Sequence, residues 1–183
     1  MRSYLKRRNI LLVISGLISL VILSFCLYFY VFHNSYKSAK FYYPDSGNNR
    51  LSLEKRKIKI DLKNHESFEL NLVRDYMLGP MNYNLKFPIK SDIDIINLWL
   101  ISEKSIVIDF NKEFINYLKV NHDECRLFLE GLFDTLRANT KLKKVYIMSD
   151  NKNINTIIGN WNLAYPVVLI NDNKKTEKKK SSS

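Results

Sequence analysis

The residues from Ile10 to Phe32 contain no Asp, Glu, Lys or Arg across 23 positions. A helix rising about 1.5 Å per residue over that length exceeds the roughly 30 Å of a bilayer's hydrocarbon core. Helix is also the form that satisfies its own backbone hydrogen bonds in lipid. Arg2, Lys6, Arg7 and Arg8 crowd the near end of the run, while only Lys37 and Lys40 closely follow its far end. Positive charge is retained on the cytoplasmic side. The reading is therefore a cytoplasmic segment at 1–9, a single transmembrane helix at 10–32, and an extracytoplasmic remainder anchored in the cytoplasmic (inner) membrane. Tyr28 and Tyr30 suit the far interface. A cleaved signal is the alternative, but the run is longer than a signal core and no small-x-small site follows. Cys26 raises lipidation as a second alternative, yet the bulky Phe25 precedes it and the apolar run continues to Phe32.

Beyond the run, the chain reads as a polar stalk at 33–40, one domain at 41–170 and a Lys/Ser-rich tail at 171–183 that is expected to be disordered. A domain of that size buries enough surface to stand without disulfides or structural metal. The two cysteines, Cys26 and Cys125, fall in the anchor and in the domain, so a disulfide framework is not expected. The net charge is +11, with many lysines at the chain ends. Such a balance suits anionic surfaces of several kinds, and solvated lysines explain part of it.

Within the domain, Phe41-Tyr42-Tyr43-Pro44 predicts a strand stopped by proline, and Asp45 to Asn49 a turn. Residues 51–61 alternate: Ile58, Ile60 and Leu62 against Lys57, Lys59 and Asp61, one buried face and one wet one. Asn64 to Leu78 predicts a helix from Phe68, Leu72 and Tyr76, ended by Gly79 and Pro80. Residues 82–88 are a loop. Residues 93–101 and 106–110 predict a hairpin around Ser102 to Ser105. A second helix is expected at His122–Ala138, a strand at Lys144–Met148, and a last extended region at Ile157–Ile170. The order argues for an α+β domain, helices packed on a mainly antiparallel sheet.

The same residues resemble the GerMN domain, a module of sporulation and spore germination proteins and of other bacterial envelope proteins. The resemblance rests on the opening strand with Tyr43 and Pro44, then Leu78-Gly79-Pro80 and Phe87-Pro88. It continues with Ile106-Val107-Ile108-Asp109-Phe110 and Phe114, Asp134-Thr135-Leu136, Val145 with Ile147, and the closing stretch from Gly159 through Trp161 to Pro166. Asp134 stands where the family favours Asn, Met148-Ser149-Asp150 where it has Val-Asp-Gly, and Asn160 where it has His. The resemblance implies a compact extracytoplasmic module without catalytic residues, engaged in assembling envelope complexes.

The chemistry-bearing residues agree with binding rather than catalysis. His122 and Cys125 share a helix face, but a zinc site needs more ligands, and His33 and His65 lie elsewhere. Asp92, Asp94 and Asp109 lack a matched partner for acid–base work; Asp109 is expected to accept backbone hydrogen bonds at a strand end. No phosphate-binding glycine loop or nucleophile elbow is present. No metal and no cofactor are expected. Trp99 and Trp161 read as core-filling, with exposed binding anchors as the alternative. Lys57 and Trp161 are the positions assigned to a partner surface. Lys55-Arg56-Lys57-Ile58-Lys59 imitates a single-strand nucleic-acid site, but the orientation argues against nucleic acid. The expected partners are the membrane and an envelope protein, with cell-wall glycan or anionic lipid as the alternative ligand and a small envelope hydrolase as the third reading. Gly16 and Ser19 are small but lack Gly-x-x-x-Gly spacing, so no helix-pairing motif sets an oligomeric state.

Overall fold

The computed structural model describes residues 2–33, 35–47, 50–60 and 67–169. The tail at 171–183, the end of the turn at Asn48 and Asn49, and the segment holding Leu62, Asn64 and His65 lie outside the described residues. The chain forms two compact units, one of Met1–Lys37 with Lys59–Glu66, the other of Ser38–Ile58 with Ser67–Ser183.

The first unit contains helix α1, Arg2–His33. Its described side chains, residues 14–30, are all exposed. Counted over the described residues, no helix is long and apolar enough to cross a membrane; Ile10 to Val13 and Val31 to Phe32, which complete the charge-free run, lie outside the described side chains.

β1 (Ser35–Pro44) pairs with β2 (Leu51–Ile60) in a two-stranded sheet, and the residues of these strands within Ser38–Ile58 belong to the second unit. The segment read as a stalk, 33–40, is thus strand from Ser35 onward. Ala39, Phe41 and Tyr43 alternate into the core, so the pattern that makes a strand already runs through Ala39. On β2 the buried face carries Ile58 and also Arg56, which removes Arg56 from the expected basic patch and leaves Lys55 and Lys57 exposed.

Helix α2 spans Phe68–Met77, capped by the Ser67 hydroxyl, which accepts from the Leu70 amide. The helix begins later than expected because the cap sits at Ser67. It ends at Leu78, and Gly79 follows at φ +77°, the left-handed position that releases the chain into Pro80. β3 (Ile95–Ser102) and β4 (Ser105–Phe110) form the expected antiparallel hairpin.

Two helices then follow. α3 (Lys112–Val120) was not expected; it buries Phe114, Tyr117 and Leu118. α4 (His122–Asn139) buries its broad apolar stripe. β5 (Lys144–Ser149) pairs parallel to β4, so the α3–α4 pair is a crossover between parallel strands. The sheet is therefore mixed: β4–β5 is parallel, while β3–β4, β5–β6 (Lys152–Asn153) and β5–β9 (Val167–Val168) are antiparallel. The expected single extended region at the end is broken into β7 (Ile157–Ile158), β8 (Trp161–Asn162) and β9. Gly159 at φ +57° turns the β7–β8 hairpin, and Pro166 precedes β9.

The core is a chain of aromatic rings. Tyr43 stacks on Tyr76 at 4.8 Å between centroids, Tyr76 lies 5.6 Å from Phe128, Phe128 lies 5.9 Å from Phe110, and Phe110 stacks on Phe114 at 4.2 Å. Two hydroxyls are satisfied inside it: Tyr43 donates to the Tyr76 carbonyl at 2.8 Å and Tyr76 to the Phe128 carbonyl at 2.9 Å. Burial pushes both phenols up from their ordinary value, the Arg56 guanidinium partly opposing this at Tyr43.

β1 is held against α4 by side chains acting as a strand edge. The Tyr42 amide donates to Thr135 Oγ1 at 3.0 Å, and Asn139 accepts from the Lys40 amide at 2.9 Å while donating to its carbonyl at 2.6 Å. Thr135→Val keeps the shape and removes the acceptor. It should cost about 1–2 kcal/mol, the penalty of an unpaired backbone amide, and a urea titration of the full chain in detergent reads it directly.

Candidate docking surface

The five-stranded sheet has two different faces. Ile106, Ile108 and Phe110 point into the core under the helices. Val107 and Asp109 alternate to the other face. There Trp99, Val107 and Tyr146 are register partners across three strands, so their side chains form one row. Trp99 remains 39% exposed, Ile101 57% and Val168 56%. Of the two tryptophans, Trp99 is the one presented to solvent. Trp161 packs edge-on against Phe133, with centroids 5.0 Å apart.

The next row is Asn97, Asp109 and Met148. Asp109 is fully buried; it accepts from Asn97 Nδ2 at 3.1 Å and from the Asn151 amide at 3.2 Å to each oxygen. Asp150 and Asn151 both have positive φ, 55° and 61°, as a tight two-residue hairpin demands. The Asp109 carboxylate therefore pins the β5–β6 turn. The Met148-Ser149-Asp150 stretch that departs from the GerMN pattern lies at this turn, where Asn151 tolerates the left-handed conformation.

β3 is an edge strand. Among the described residues it pairs only with β4. Its sequence, Ile-Ile-Asn-Leu-Trp-Leu-Ile-Ser, carries no charge and no proline. Edge strands are ordinarily protected by such residues; here the protection is confined to bulges near Asn97 and Ser102. Beside this edge runs a groove of about 720 Å³, walled by the end of α2 and by Phe87 and Ile93.

A second groove, about 440 Å³, is lined by Lys86, Phe87, Tyr117 and Glu124 among others. The Tyr117 hydroxyl donates to Glu124, with the Pro88 carbonyl oxygen 3.1 Å away, and the Lys90 ammonium lies 5.6 Å from its ring centroid. Burial and the neighbouring Glu124 push the phenol up. Neither groove has a histidine in its lining.

The other sequence-selected residues are dispersed through the fold. Tyr43, Phe110, Thr135 and Leu136 are fully buried, and Pro44 and Gly79 are buried; Pro80 and Pro166 are half-buried. Gly159 is exposed at its turn, where a Cβ would meet Arg126 Cδ at 3.1 Å. Lys57 is exposed on β2 and Trp161 half-buried on β8. Asp94 Oδ1 accepts its neighbour's amide at 2.7 Å, and the Asp92 carbonyl accepts from Asn111 Nδ2 at 2.6 Å. Cys125 is fully buried, its thiol pushed up to about 12 by burial, and His122 meets the Ile157 carbonyl at 3.2 Å. Among the described residues no group of three His, Cys, Asp or Glu gathers to hold a metal.

Sequence reasoning missed Ile101 and the β3 edge. The signal was present: eight uncharged residues bounded by Asp94 and Glu103 in a basic chain.

No family model and no curated protein matches the sequence. Solved structures do. One, from Clostridium perfringens and described as a lipoprotein, is 20% identical, with 73% of this chain and 88% of that one covered and a TM-score of 0.47. Two of the others are GerMN domains. The first GerMN domain of the Bacillus subtilis sporulation protein GerM is 15% identical over 72% of this chain and 93% of its own, TM-score 0.46. The tandem GerMN domains of the same protein are 15% identical over 64% of this chain, TM-score 0.45, and this chain spans 40% of their length.

Proposed function

We propose that the chain is a single-pass, membrane-anchored docking module whose domain stands outside the cytoplasm and binds a protein of the cell envelope. The observation that carries this is the charge-free β3 edge with Trp99 and Ile101 exposed beside it. An apolar aromatic patch next to an open strand edge is what a protein partner covers. The charge-free run at 10–32, preceded by Arg2, Lys6, Arg7 and Arg8, supports the anchor and its orientation. The GerMN-like order of motifs supports the envelope setting. The chemistry is binding rather than catalysis: Asp109 and Asp94 are each engaged in holding the backbone, and Glu124 is engaged by Tyr117.

A second reading, attachment to an anionic wall or lipid surface, draws on Lys55 and Lys57, which stand exposed on β2. Photocrosslinking in cells separates the two, with the photoreactive residue placed at Ile101, Lys57 or Trp161. Discrete protein adducts from Ile101 are expected, and few from Trp161. Wall or lipid adducts concentrated at Lys57, with none at Ile101, would replace the first reading with the second.

A further inference from the structure

The charge of the domain is nearly balanced in sum and uneven in place. Residues 41–170 carry 18 Lys or Arg against 16 Asp or Glu, so a basic end within the domain is a local feature. Such an end lies where β4 and β5 begin. The Lys143 and Lys144 amides both donate to the Lys104 carbonyl, at 2.8 and 3.1 Å. Beside them α4 stops at Asn139, whose side chain holds the Lys40 backbone. The Leu142 amide then donates to the Thr140 hydroxyl at 3.2 Å, across Lys141. Lys40, Lys104, Lys141, Lys143 and Lys144 are all exposed, and among the described residues none is in an ion pair. In the segments 38–44, 100–106, 138–146 and 165–169 that build this end, Glu103 is the one carboxylate. The opposite end, where β4 and β5 finish, is mixed: Asp92, Asp94, Asp109 and Asp150 gather there with Lys112 and Lys152.

The chain both enters and leaves the domain at the lysine end. It enters at Lys40, eight positions after the charge-free run at 10–32; eight residues fully extended span at most about 29 Å. An anchored domain therefore cannot carry this end far from the headgroups, and the tether concentrates the lysines against them. A wall polymer, by contrast, would have to reach the end of the domain nearest the membrane. The chain leaves at Leu169, whose amide donates to the Lys143 carbonyl at 2.8 Å. The sequence that follows, 171–183, holds five lysines against Asp172 and Glu177. Lysines on flexible stems adapt to phosphates at different depths, and their attraction to an anionic surface accumulates within a Debye length.

We propose that the lysine end of the domain rests on the anionic headgroups of the membrane that holds the anchor, with the Asp150 end turned away from the lipid. This rests on the anchored reading above and is independent of what covers the β3 edge.

The test places the full chain in nanodiscs whose headgroups carry a gadolinium chelate and reads the paramagnetic relaxation of backbone amides by NMR. With one third phosphatidylglycerol, the amides of Lys104, Lys143 and Leu169 should relax faster than in phosphatidylcholine alone. Those of Asp150 and Asn151 should not change. High salt should abolish the difference. Lys141→Gln with Lys143→Gln and Lys144→Gln changes three exposed side chains. Across a phosphatidylglycerol titration it should weaken the contact on the order of a hundredfold, with the urea midpoint unchanged.

Relaxation that ignores phosphatidylglycerol, in a chain that inserts, would overturn the proposal and leave the anchor in place. Faster relaxation at Asp150 and Asn151 instead would overturn the choice of end. Soluble polyphosphate that shifts the Lys104 and Lys143 signals, where anionic lipid does not, would reassign these lysines to a phosphate polymer. A chain that elutes apart from the discs would remove the anchor, and the proposal with it.

Discussion

Gly131→Ala should destabilise the domain by about 2 kcal/mol, against the usual benefit of alanine in a helix. Gly131 lies within α4, where glycine ordinarily costs about 1 kcal/mol relative to alanine. Yet a Cβ there would meet the Tyr42 carbonyl oxygen at 2.4 Å and the Tyr76 hydroxyl at 2.6 Å. Neither can yield easily. The Tyr42 oxygen is backbone on a strand tied to α4 by Thr135 and Asn139, and the Tyr76 hydroxyl donates to the Phe128 carbonyl inside the aromatic core. Overpacking of this kind costs about 1–3 kcal/mol and sometimes more, so the clash outweighs the propensity gain. Gly131→Val, larger and β-branched, should do worse and leave much of the chain unfolded at ambient temperature. Urea midpoints for the full chain in detergent measure both. An alanine variant as stable as the parent would mean that α4 and β1 are less closely packed than these distances require.

Much of the fold can be read from local pattern, and the exceptions have physical causes. Gly79 and Pro80 mark the end of α2 because glycine supplies the φ of +77° that the exit requires. The Ser102–Ser105 turn and its flanking apolar runs mark the β3–β4 hairpin. By contrast, α3 is nine residues long and is separated from β4 by Asn111 alone. Phe114, Tyr117 and Leu118 do have helical spacing, but three residues compete poorly with the strand pattern before them. The parallel β4–β5 pairing depends on where two helices return the chain, which no local window records. Arg56 illustrates the opposite case. Its type suggests a wet face, whereas its phase with Ile58 on an alternating strand places it inside. The candidate docking surface is legible only as an absence, the lack of any charge from Ile95 to Ser102, which matches no positive motif.

Arg56→Met should cost about 3–5 kcal/mol, the scale for removing one partner of a buried ion pair. Arg56 is 9% exposed and pairs with Glu54. Its guanidinium donates to the Gly79 carbonyl at 2.7 Å and to the Asp75 carbonyl at 3.3 Å, and it lies 4.5 Å from the Phe41 ring centroid. It thus places a cation at the carbonyl end of α2, where the helix dipole favours one. Glu54 in turn accepts from the amides of Met81, at 3.1 Å, and Asn82, at 3.1 Å. The pair ties β2 to the chain leaving α2 from both sides of Gly79. Methionine fills the volume of Arg56 but leaves Glu54 charged and without its cation. Adding Glu54→Gln to Arg56→Met should therefore recover part of the loss, and the double variant should be more stable than the sum of the singles. The same pair sets an acid limit. Burial raises the Glu54 pKa, but the Asn82 amide, Arg56 and the Met81 amide outweigh it and hold the carboxyl below its ordinary 4.5. A carboxylate lowered on folding contributes stability that is present above its unfolded pKa and lost as pH falls through its folded one. The parent should thus lose stability below about pH 4.5, and Glu54→Gln should flatten that loss while lowering stability at neutral pH. Urea titrations from neutral pH to pH 3 test this. An unchanged acid slope in Glu54→Gln would show that other carboxylates set the limit, and a double variant no better than the sum would show that the two side chains act independently.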